Sequence, residues 1–405
     1  MFRRAFSTRA LSPTDVVILS YARTPICSFN GSLASISATA LGAAAARGAL
    51  SRAGVDGAIV DEVIMGNVVS AGLGQAPARQ AARGAGVRDA ATCFTVNKVC
   101  ASGMKAVALA AQSITAGSAS VVVAGGFESM SGVPYYATGA RGGLRLGHGK
   151  LLDGVIHDGL WDPYGNEHMG SCAEKTAREF KITRAQQDAY AARSYARALA
   201  DAAGRALDIV PISPPKKGST EVRLDDEPSR GGDSAALAAL RPAFLAANEG
   251  GSITAGNASK LNDGGAALVI TSAARAKELG ITPIARMRGY ADAEAAPVDF
   301  STAPSLAVPR ALKHAGVALG DVALHEINEA FSSVVLANMQ LLGLSEDRVN
   351  VAGGAVALGH PIGASGARIV GQLVRLLRAR NAGAIGVASI CNGGGGASAI
   401  VVEAL

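Results

Sequence analysis

The chain has 405 residues, of which 49% are hydrophobic and 17% charged, and its formal net charge is +6. This apolar content suffices for a large core and argues against a disordered chain, and at about 150 residues per domain the length predicts two or three domains. Three of the positive charges, Arg3, Arg4 and Arg9, lie near the N-terminus, and no long basic run occurs elsewhere, so no nucleic-acid partner is predicted.

The N-terminal segment 1–12 contains Arg, Ser and Thr but no acidic residue, and Phe2, Phe6 and Leu11 fall on roughly one helical face. Mitochondrial transit peptides have this composition, and the apolar region of a secretory signal is missing. The sequence therefore predicts a leader at 1–12 and a location in the mitochondrial matrix. A frayed terminus with chance arginines is the alternative.

The cysteines do not form a disulfide pattern. Their number is odd, they are widely spaced and no CxxC pair suggests zinc. They are Cys27, Cys93, Cys100, Cys172 and Cys391. Two uncharged stretches, 106–127 and 381–402, contain Ser, Gly or Asn, and we interpret them as buried helix–strand units rather than membrane spans.

Strands and helices alternate in the first third of the chain. Short β-branched runs predict strands, and apolar residues at helical spacing predict helices, the first of which ends at Gly54. The predicted strands are 14–24, 61–69, 93–99 and 119–129, and the predicted helices are 39–54 and 102–117. This alternation indicates an α/β layered domain.

Residues 128–254 differ because they contain glycine-rich loops, the single Trp161 and a Pro- and charge-rich stretch. One helix is predicted there, from the capping box of Thr183 and Gln186 to a stop at Gly204. We interpret this segment as a loop-rich insertion over a rigid scaffold, where binding residues tend to lie.

The α/β alternation resumes near residue 266 and continues through 321–343, 353–380 and 383–405. The order of elements resembles that of the first part, and again a Cys or His flanked by glycines falls at a strand–helix junction. The sequence thus predicts two similar α/β halves that enclose a site between them.

Cys100 follows a predicted strand and opens a predicted helix. Unpaired N–H groups and the positive end of the helix dipole favour a thiolate at such a position. Cys100 is therefore a candidate nucleophile, and a buried structural cysteine remains the alternative.

Three further junctions carry polar or reactive groups. His360 lies in a glycine-rich turn before a helix predicted to begin near Ser365, and beside a cysteine nucleophile it could act as a general base. Cys391 precedes four glycines whose N–H groups could bind an oxyanion, and Asn328 follows a predicted strand. A core histidine, a buried thiol and a helix N-cap are the respective alternatives.

Six motifs together resemble the thiolase family. They are NKVCASGMKAV (97–107), HMGSCAE (168–174), ITAGNASKLNDGGAALV (253–269), NEAFS (328–332), GGAVALGHPIGASGARI (353–369) and CNGGGGASA (391–399). The first two are similar to the mitochondrial, short-chain type.

The resemblance implies an α/β fold in αβαβα layers, built from two similar five-stranded βαβαβαββ halves with a loop-rich insertion domain. The implied division is an N-terminal domain at 13–127, completed by about 255–282, a loop domain at 128–254 and a C-terminal domain at 283–405.

The resemblance also implies a role for each candidate catalytic residue. Cys100 accepts the acyl group, and His360 activates it and binds the thioester oxygen together with a water held by Asn328. Cys391 exchanges a proton with the α-carbon. The backbone N–H groups of Cys100 and Gly393 form a second oxyanion hole.

The implied activity is that of an acyltransferase that reversibly cleaves acetoacetyl-CoA or condenses two acetyl-CoA, with ping-pong kinetics. No cofactor is required for this chemistry, because coenzyme A is a substrate. The alternatives are a medium- or long-chain 3-ketoacyl-CoA thiolase, a ketoacyl synthase, which uses two histidines and has no second cysteine acid, and a non-catalytic CoA-binding scaffold.

Two further sets of residues match positions that the family uses for ligands. Those implied to bind CoA are His168, Met169, Arg230, Phe244, Ser259, Ala330 and Phe331. Those implied to bind potassium are Tyr195, Ala255, Gly256, Ala258 and Val356, of which Tyr195 could instead be a packing residue. The family forms homo-oligomers, dimers or tetramers, and no membrane partner is predicted.

Overall fold

The structure is a computed structural model that describes residues 10–215, 218–231 and 233–405. Most of the predicted leader, residues 1–9, therefore lies outside the described residues. Within the described ranges, no helix combines the length and the apolar character needed to cross a bilayer.

The strands have the following bounds in chain order. They are β1 (Val16–Arg23), β2 (Cys27–Ser28), β3 (Glu62–Gly66), β4 (Thr92–Val96), β5 (Val121–Ser129), β6 (Tyr135–Tyr136), β7 (Leu152–Asp153), β8 (Trp161–Asp162), β9 (Glu167–His168), β10 (Asn262–Ser272), β11 (Ala285–Glu294), β12 (Leu324–Ile327), β13 (Ile385–Asn392) and β14 (Gly396–Ala404).

The α-helices follow the same numbering. They are α1 (Ala38–Ala53), α2 (Pro77–Gly84), α3 (Ser102–Thr115), α4 (Met169–Glu179), α5 (Arg184–Ala200), α6 (Ala202–Asp208), α7 (Ser234–Ala238), α8 (Ala273–Glu278), α9 (Pro304–Ala315), α10 (Ser332–Leu342), α11 (Ala355–Leu358) and α12 (Ile362–Arg380). Gly54 ends α1 in the left-handed conformation with φ of 64°, as the sequence predicts.

Two sets of strands meet edge to edge. The first has the order β4-β3-β5-β10-β1 and the second the order β12-β13-β14-β11, and β1 pairs with β11 over a short stretch. Strands β3, β4 and β5 are parallel to one another, as are β12 and β13, whereas β10 and β14 are antiparallel to their neighbours. Each half therefore contains parallel strands. Ligand sites in α/β folds collect at the carboxyl ends of such strands.

The second half has four of the five expected strands among the described residues, and Asn350 accounts for the difference. Its side chain accepts from the N–H of Ile327 and donates to the Ile327 carbonyl, both at 2.8 Å. The amide thus occupies the edge of β12 that β4 takes beside β3 in the first half. An isolated parallel bridge from Val349 to His325 remains there.

The five layers follow from the burial of alternate side chains. On β5, Val121 and Val123 pack with α1 and α2, whereas Val122 and Ala124 pack with α3 and α12. Helix α9 covers the outer face of the second set of strands. Helices α3 and α12 therefore form the central layer of an αβαβα arrangement.

The two central helices are in backbone contact at their N-terminal ends, where glycines permit it. A Cβ added at Gly103 would lie 2.8 Å from the carbonyl oxygen of Gly363, and one added at Gly366 would collide with the backbone of Met104. Because Cys100 precedes α3 and His360 precedes α12, this close crossing brings both residues to one place.

The loop-rich segment contains more helix than the sequence predicts. The capping box of Thr183 and Gln186 begins α5 as expected, but the predicted stop at Gly204 is wrong, since α5 ends at Ala200 and Gly204 lies inside α6. Arg375 explains the glycine: it pairs with Asp201 at 2.6 Å, and a Cβ at 204 would collide with its guanidinium. The sequence does not predict helix α4.

Candidate active site

The turn that carries Cys100 contains a strained residue. Val99 has φ of +46°, a left-handed conformation that costs a β-branched residue about 1–3 kcal/mol. The side chain of Asn97 accepts from the N–H of Val99 at 2.9 Å, and Ser102 Oγ accepts from the N–H of Lys98 at 2.9 Å. These bonds fix the orientation of Cys100 at the start of α3.

The Cys100 side chain packs against a buried cluster that includes Met130 and Ile362, the first residue of α12. Burial raises the pKa of its thiol to about 12, although the backbone N–H groups of Gly393 and of Cys100 itself hydrogen-bond to the sulfur and lower the pKa. The helix-terminus argument predicts a resting thiolate, but desolvation outweighs it. The resting group is therefore the thiol, and it must lose its proton during attack.

His360 is buried, and its hydrogen bonds define which ring nitrogen is basic. Ser365 Oγ donates to the carbonyl of Pro361 at 3.0 Å, so at 2.6 Å it accepts from Nδ1–H of His360. Nε2 of the neutral ring then carries the lone pair. Burial and the positive charge of Arg368 lower the pKa of His360 to about 3, which keeps the imidazole neutral.

Asn328 lies at the end of β12, and its amide nitrogen is 3.4 Å from Nε2 of His360. The residue is buried, and its Oδ1 has no hydrogen-bond partner among the described residues. An acceptor that is buried without a partner is costly, so Oδ1 is suited to bind a water or a ligand donor.

Cys391 is buried at the end of β13, which runs parallel to β12, and lies within electrostatic range of Cys100. Burial raises the pKa of the Cys391 thiol well above its usual range, and the Cys100 thiolate would raise it further. At Gly393 an added Cβ would lie 3.5 Å from Val99 and 3.7 Å from the sulfur of Met169. The predicted residues Cys100, Cys391 and Gly393 are thus brought together.

A cavity of about 350 Å³ opens beside His360. Its wall contains His168, whose ring stacks on Phe244 with centroids 4.7 Å apart, and Phe331, which meets Phe244 edge to face at 6.2 Å. A side chain at Gly170 would collide with the Phe244 ring, which is why a glycine follows Met169 in the motif. Ser259 also lines the cavity.

The family models for the thiolase N-terminal and C-terminal domains match residues 16–274 and 281–404. The chain belongs to the thiolase family. Cys100 falls in the first match and Cys391 in the second, so the two matches cover both parts of the candidate site in this thiolase.

This thiolase is similar to proteins from several kingdoms. It is 54% identical to acetyl-CoA acetyltransferase 1 of Arabidopsis thaliana over 98% of this chain and 96% of the relative. It is 51% identical to the mitochondrial acetyl-CoA acetyltransferase of Rattus norvegicus over 98% and 93%, respectively. The crystal structure of the Acat5 thiolase of Ascaris suum in complex with coenzyme A superposes with a TM-score of 0.91, at 44% identity, over 96% of this chain and 100% of that one.

The other three residues predicted to contact CoA, Met169, Ala330 and Arg230, do not line the cavity of this thiolase. Met169 and Ala330 belong to the buried cluster beneath its wall, together with Phe331 and Cys391. The structure does not bring Arg230 to the cavity: it is exposed and is absent from the lining.

Three of the residues predicted to bind potassium surround a side chain instead. Nζ of Lys260 lies 2.6 Å from the Tyr195 hydroxyl and 3.0 Å from each of the carbonyl oxygens of Ala258 and Val356. Ala255 lines the cavity, and Gly256 follows it in the same turn. The residues of this thiolase therefore do not fit a free cation at the predicted position.

Sequence reasoning missed Lys98, which links the two halves of this thiolase. Its Nζ donates to Oδ1 of Asn392 at 2.8 Å and pairs with Glu294 at 3.0 Å. Asn392 in turn donates to the carbonyl of Gly393 at 2.7 Å. Lys98 thus connects the turn before Cys100 to the loop that presents the Gly393 N–H. The only signal in the sequence is its place two residues before Cys100.

Replacing Lys98 with Met should lower kcat by roughly tenfold and leave KM nearly unchanged, because a charge-assisted hydrogen bond of about 1.5–3 kcal/mol positions the Gly393 N–H. Lys105→Met is the matched control, since Lys105 lies in α3 and pairs with Asp292 at 2.7 Å. Steady-state kinetics and melting temperatures of both variants distinguish the cases. Equal loss of stability with unchanged kcat in the two variants would contradict a positioning role for Lys98.

Proposed function

We propose that this thiolase is an acetyl-CoA C-acetyltransferase that cleaves acetoacetyl-CoA, or condenses two acetyl-CoA, through an S-acetyl-cysteine. The observation that supports this proposal most directly is that two thiols, Cys100 and Cys391, converge with the Gly393 N–H and His360 at the crossing of α3 and α12. The names of the Arabidopsis and rat relatives, and the coenzyme A bound in the Ascaris structure, support the same assignment.

In the first half-reaction the sulfur of Cys100 attacks the keto carbon while its proton passes to Nε2 of His360. The bond between the α-carbon and the keto carbon then breaks and leaves an enolate of acetyl-CoA. The imidazolium and a water on Asn328 stabilise the enolate oxygen, and the N–H groups of Cys100 and Gly393 stabilise the acyl oxygen. Cys391 protonates the α-carbon, and acetyl-CoA departs.

In the second half-reaction the Cys391 thiolate takes the proton of CoA, whose sulfur attacks the acetyl group on Cys100. The collapsing intermediate releases the Cys100 sulfur, which recovers its proton from His360. Both cysteines and the histidine return to their starting forms, so the cycle needs no cofactor.

The names of the relatives favour a short acyl chain over the medium- and long-chain alternative. The cavity of about 350 Å³ beside His360 is lined by residues proposed to contact CoA, among them Phe244 and Phe331. We expect kcat/KM for acetoacetyl-CoA to exceed that for a long-chain 3-ketoacyl-CoA by at least about 100-fold. Thiolysis assays with both substrates at equal CoA measure the ratio.

The Cys100→Ala variant serves as the background for both substrates in this comparison. Similar values of kcat/KM for the two chain lengths would contradict the short-chain assignment. A protein that binds CoA with no turnover of either substrate would instead indicate the non-catalytic scaffold.

His168, Met169, Phe244, Ser259, Ala330 and Phe331 are proposed to contact CoA, while the exposed position of Arg230 gives it no support from the cavity. We further propose a domain division at 13–127 with 255–282, 128–254 and 283–405, a leader at 1–12, and assembly as a dimer or tetramer. Mitochondrial relatives in rat and zebrafish support a mitochondrial location.

A further inference from the structure

A buried lysine lies inside a cage of neutral oxygen atoms next to the cavity. Lys260 Nζ is within hydrogen-bond distance of the hydroxyl of Tyr195 and the carbonyl oxygens of Ala258 and Val356, at 2.6, 3.0 and 3.0 Å. It also lies 5.2 Å from the centroid of the Tyr195 ring. Carbonyl dipoles and a phenol oxygen form a donor set suited to a monovalent cation.

The cage joins three segments that are far apart in the sequence. Tyr195 belongs to α5 in the loop-rich segment, and Ala258 precedes Ser259 in the cavity wall. Val356 belongs to α11, directly before the turn that carries His360. A positive charge at their centre therefore fixes the cavity wall and the His360 turn relative to each other.

Charged groups near the cage support a cation at its centre. Burial lowers the pKa of Lys260 to about 8, and the carboxylates of Glu227 and Glu329 act in the opposite direction. Each of the three cage oxygens can accept one N–H of an ammonium group, so the charged form of Lys260 has a partner for every proton. Glu329 also accepts from Tyr190, Ser194 and the N–H of Val356, so it links α5 to α11 as well.

We propose that the Lys260 ammonium takes the place of a potassium ion in this thiolase, so that the cavity wall and the His360 turn are held by a cation tethered to the chain. A free cation could bind the same three oxygens only by displacing Lys260 and leaving two positive charges close together in a buried site. Lys260 thus occupies the predicted potassium site, and its role is to position the cavity wall and the His360 turn.

The test compares potassium chloride with sodium chloride at equal ionic strength. For the wild-type protein we expect the same melting temperature and the same Kd for CoA in both salts. Lys260→Ala empties the cage, so the variant should melt lower and bind CoA less tightly in sodium. Potassium should then raise its melting temperature by about 2–4 °C and restore part of its CoA affinity.

Lys260→Met keeps the bulk without the charge and should respond to neither salt, and Lys277→Ala, at an exposed lysine of α8, should behave as the wild type. A potassium response of the wild-type protein would overturn the proposal, and so would a Lys260→Ala variant that ignores potassium. The wild-type comparison does not depend on whether a variant folds. Melting temperature is independent of turnover, so failure here is distinguishable from failure of the proposed reaction.

Discussion

Replacing Cys100 with Ala is expected to lower kcat/KM for acetoacetyl-CoA by roughly 10⁴–10⁶-fold, the loss typical of removing a covalent nucleophile. In the proposed mechanism every later step requires the acyl group on this sulfur, and the N–H groups of Gly393 and Cys100 have no acyl oxygen to stabilise without it. Thiolysis kinetics measure the loss, and incubation with radiolabelled acetyl-CoA should leave no acetyl group on the variant.

The matched control is Cys93→Ala, because Cys93 lies on β4 and not at its end, where the site forms. It should retain turnover within a fewfold of the wild type. Appreciable turnover by Cys100→Ala, or its labelling at another residue, would contradict the assignment of the nucleophile.

Replacing Cys391 with Ser should separate the two half-reactions. Acetylation of Cys100 by acetyl-CoA should remain, because CoA thiolate is a good leaving group that needs little help from an acid. Exchange of the α-protons of acetyl-CoA in heavy water should slow by roughly 10²–10⁴-fold, since a hydroxyl is a far weaker acid than a thiol and supplies almost no conjugate base at neutral pH. Proton NMR of acetyl-CoA with each enzyme follows the exchange.

Cys172→Ala is the control, since Cys172 is buried in the same cluster as Cys391 and has no proposed role in proton transfer. Its exchange rate should match that of the wild type. Exchange by Cys391→Ser at the wild-type rate would assign the carbon acid and base to another group, and loss of acetylation would show that Cys391 is needed for nucleophilic attack.

The sequence predicts the location of the candidate site because that site is built from strand–helix junctions. Cys100, Asn328, His360 and Cys391 each fall where an apolar run gives way to glycines or a helix, and the parallel order of strands brings those points together. The glycines at 103 and 366 are visible in the motifs, although their purpose, the close crossing of α3 and α12, requires coordinates.

The remaining features could not be predicted because they depend on side chains that meet only in the folded chain. Nothing local indicates that Val99 adopts a left-handed φ, that Asn350 replaces a strand, or that Lys260 reaches oxygens from three segments. The acidity of the Cys100 thiol could not be predicted from local sequence either. A helix terminus favours a thiolate at Cys100, but burial raises its pKa to about 12.

Glu128 helps to hold the segments that carry Cys100 and His360 in place. Its buried carboxylate accepts from the N–H groups of Val68 and Gly363 at 3.0 and 2.9 Å and from the amide of Asn67 at 2.7 Å. Burial raises the pKa of Glu128 to about 7. The end of β3 and the start of α12 are thus fixed to the same carboxyl group, which stabilises the crossing that unites Cys100 with His360.

The most direct measurement is mass spectrometry of the wild-type enzyme after incubation with acetyl-CoA alone. The mechanism predicts a gain of one acetyl group per chain, located by peptide mapping on Cys100, and its disappearance when CoA is added. Acetyl groups on Cys391, or an unmodified enzyme that still turns over acetoacetyl-CoA, would contradict the covalent relay between the two thiols.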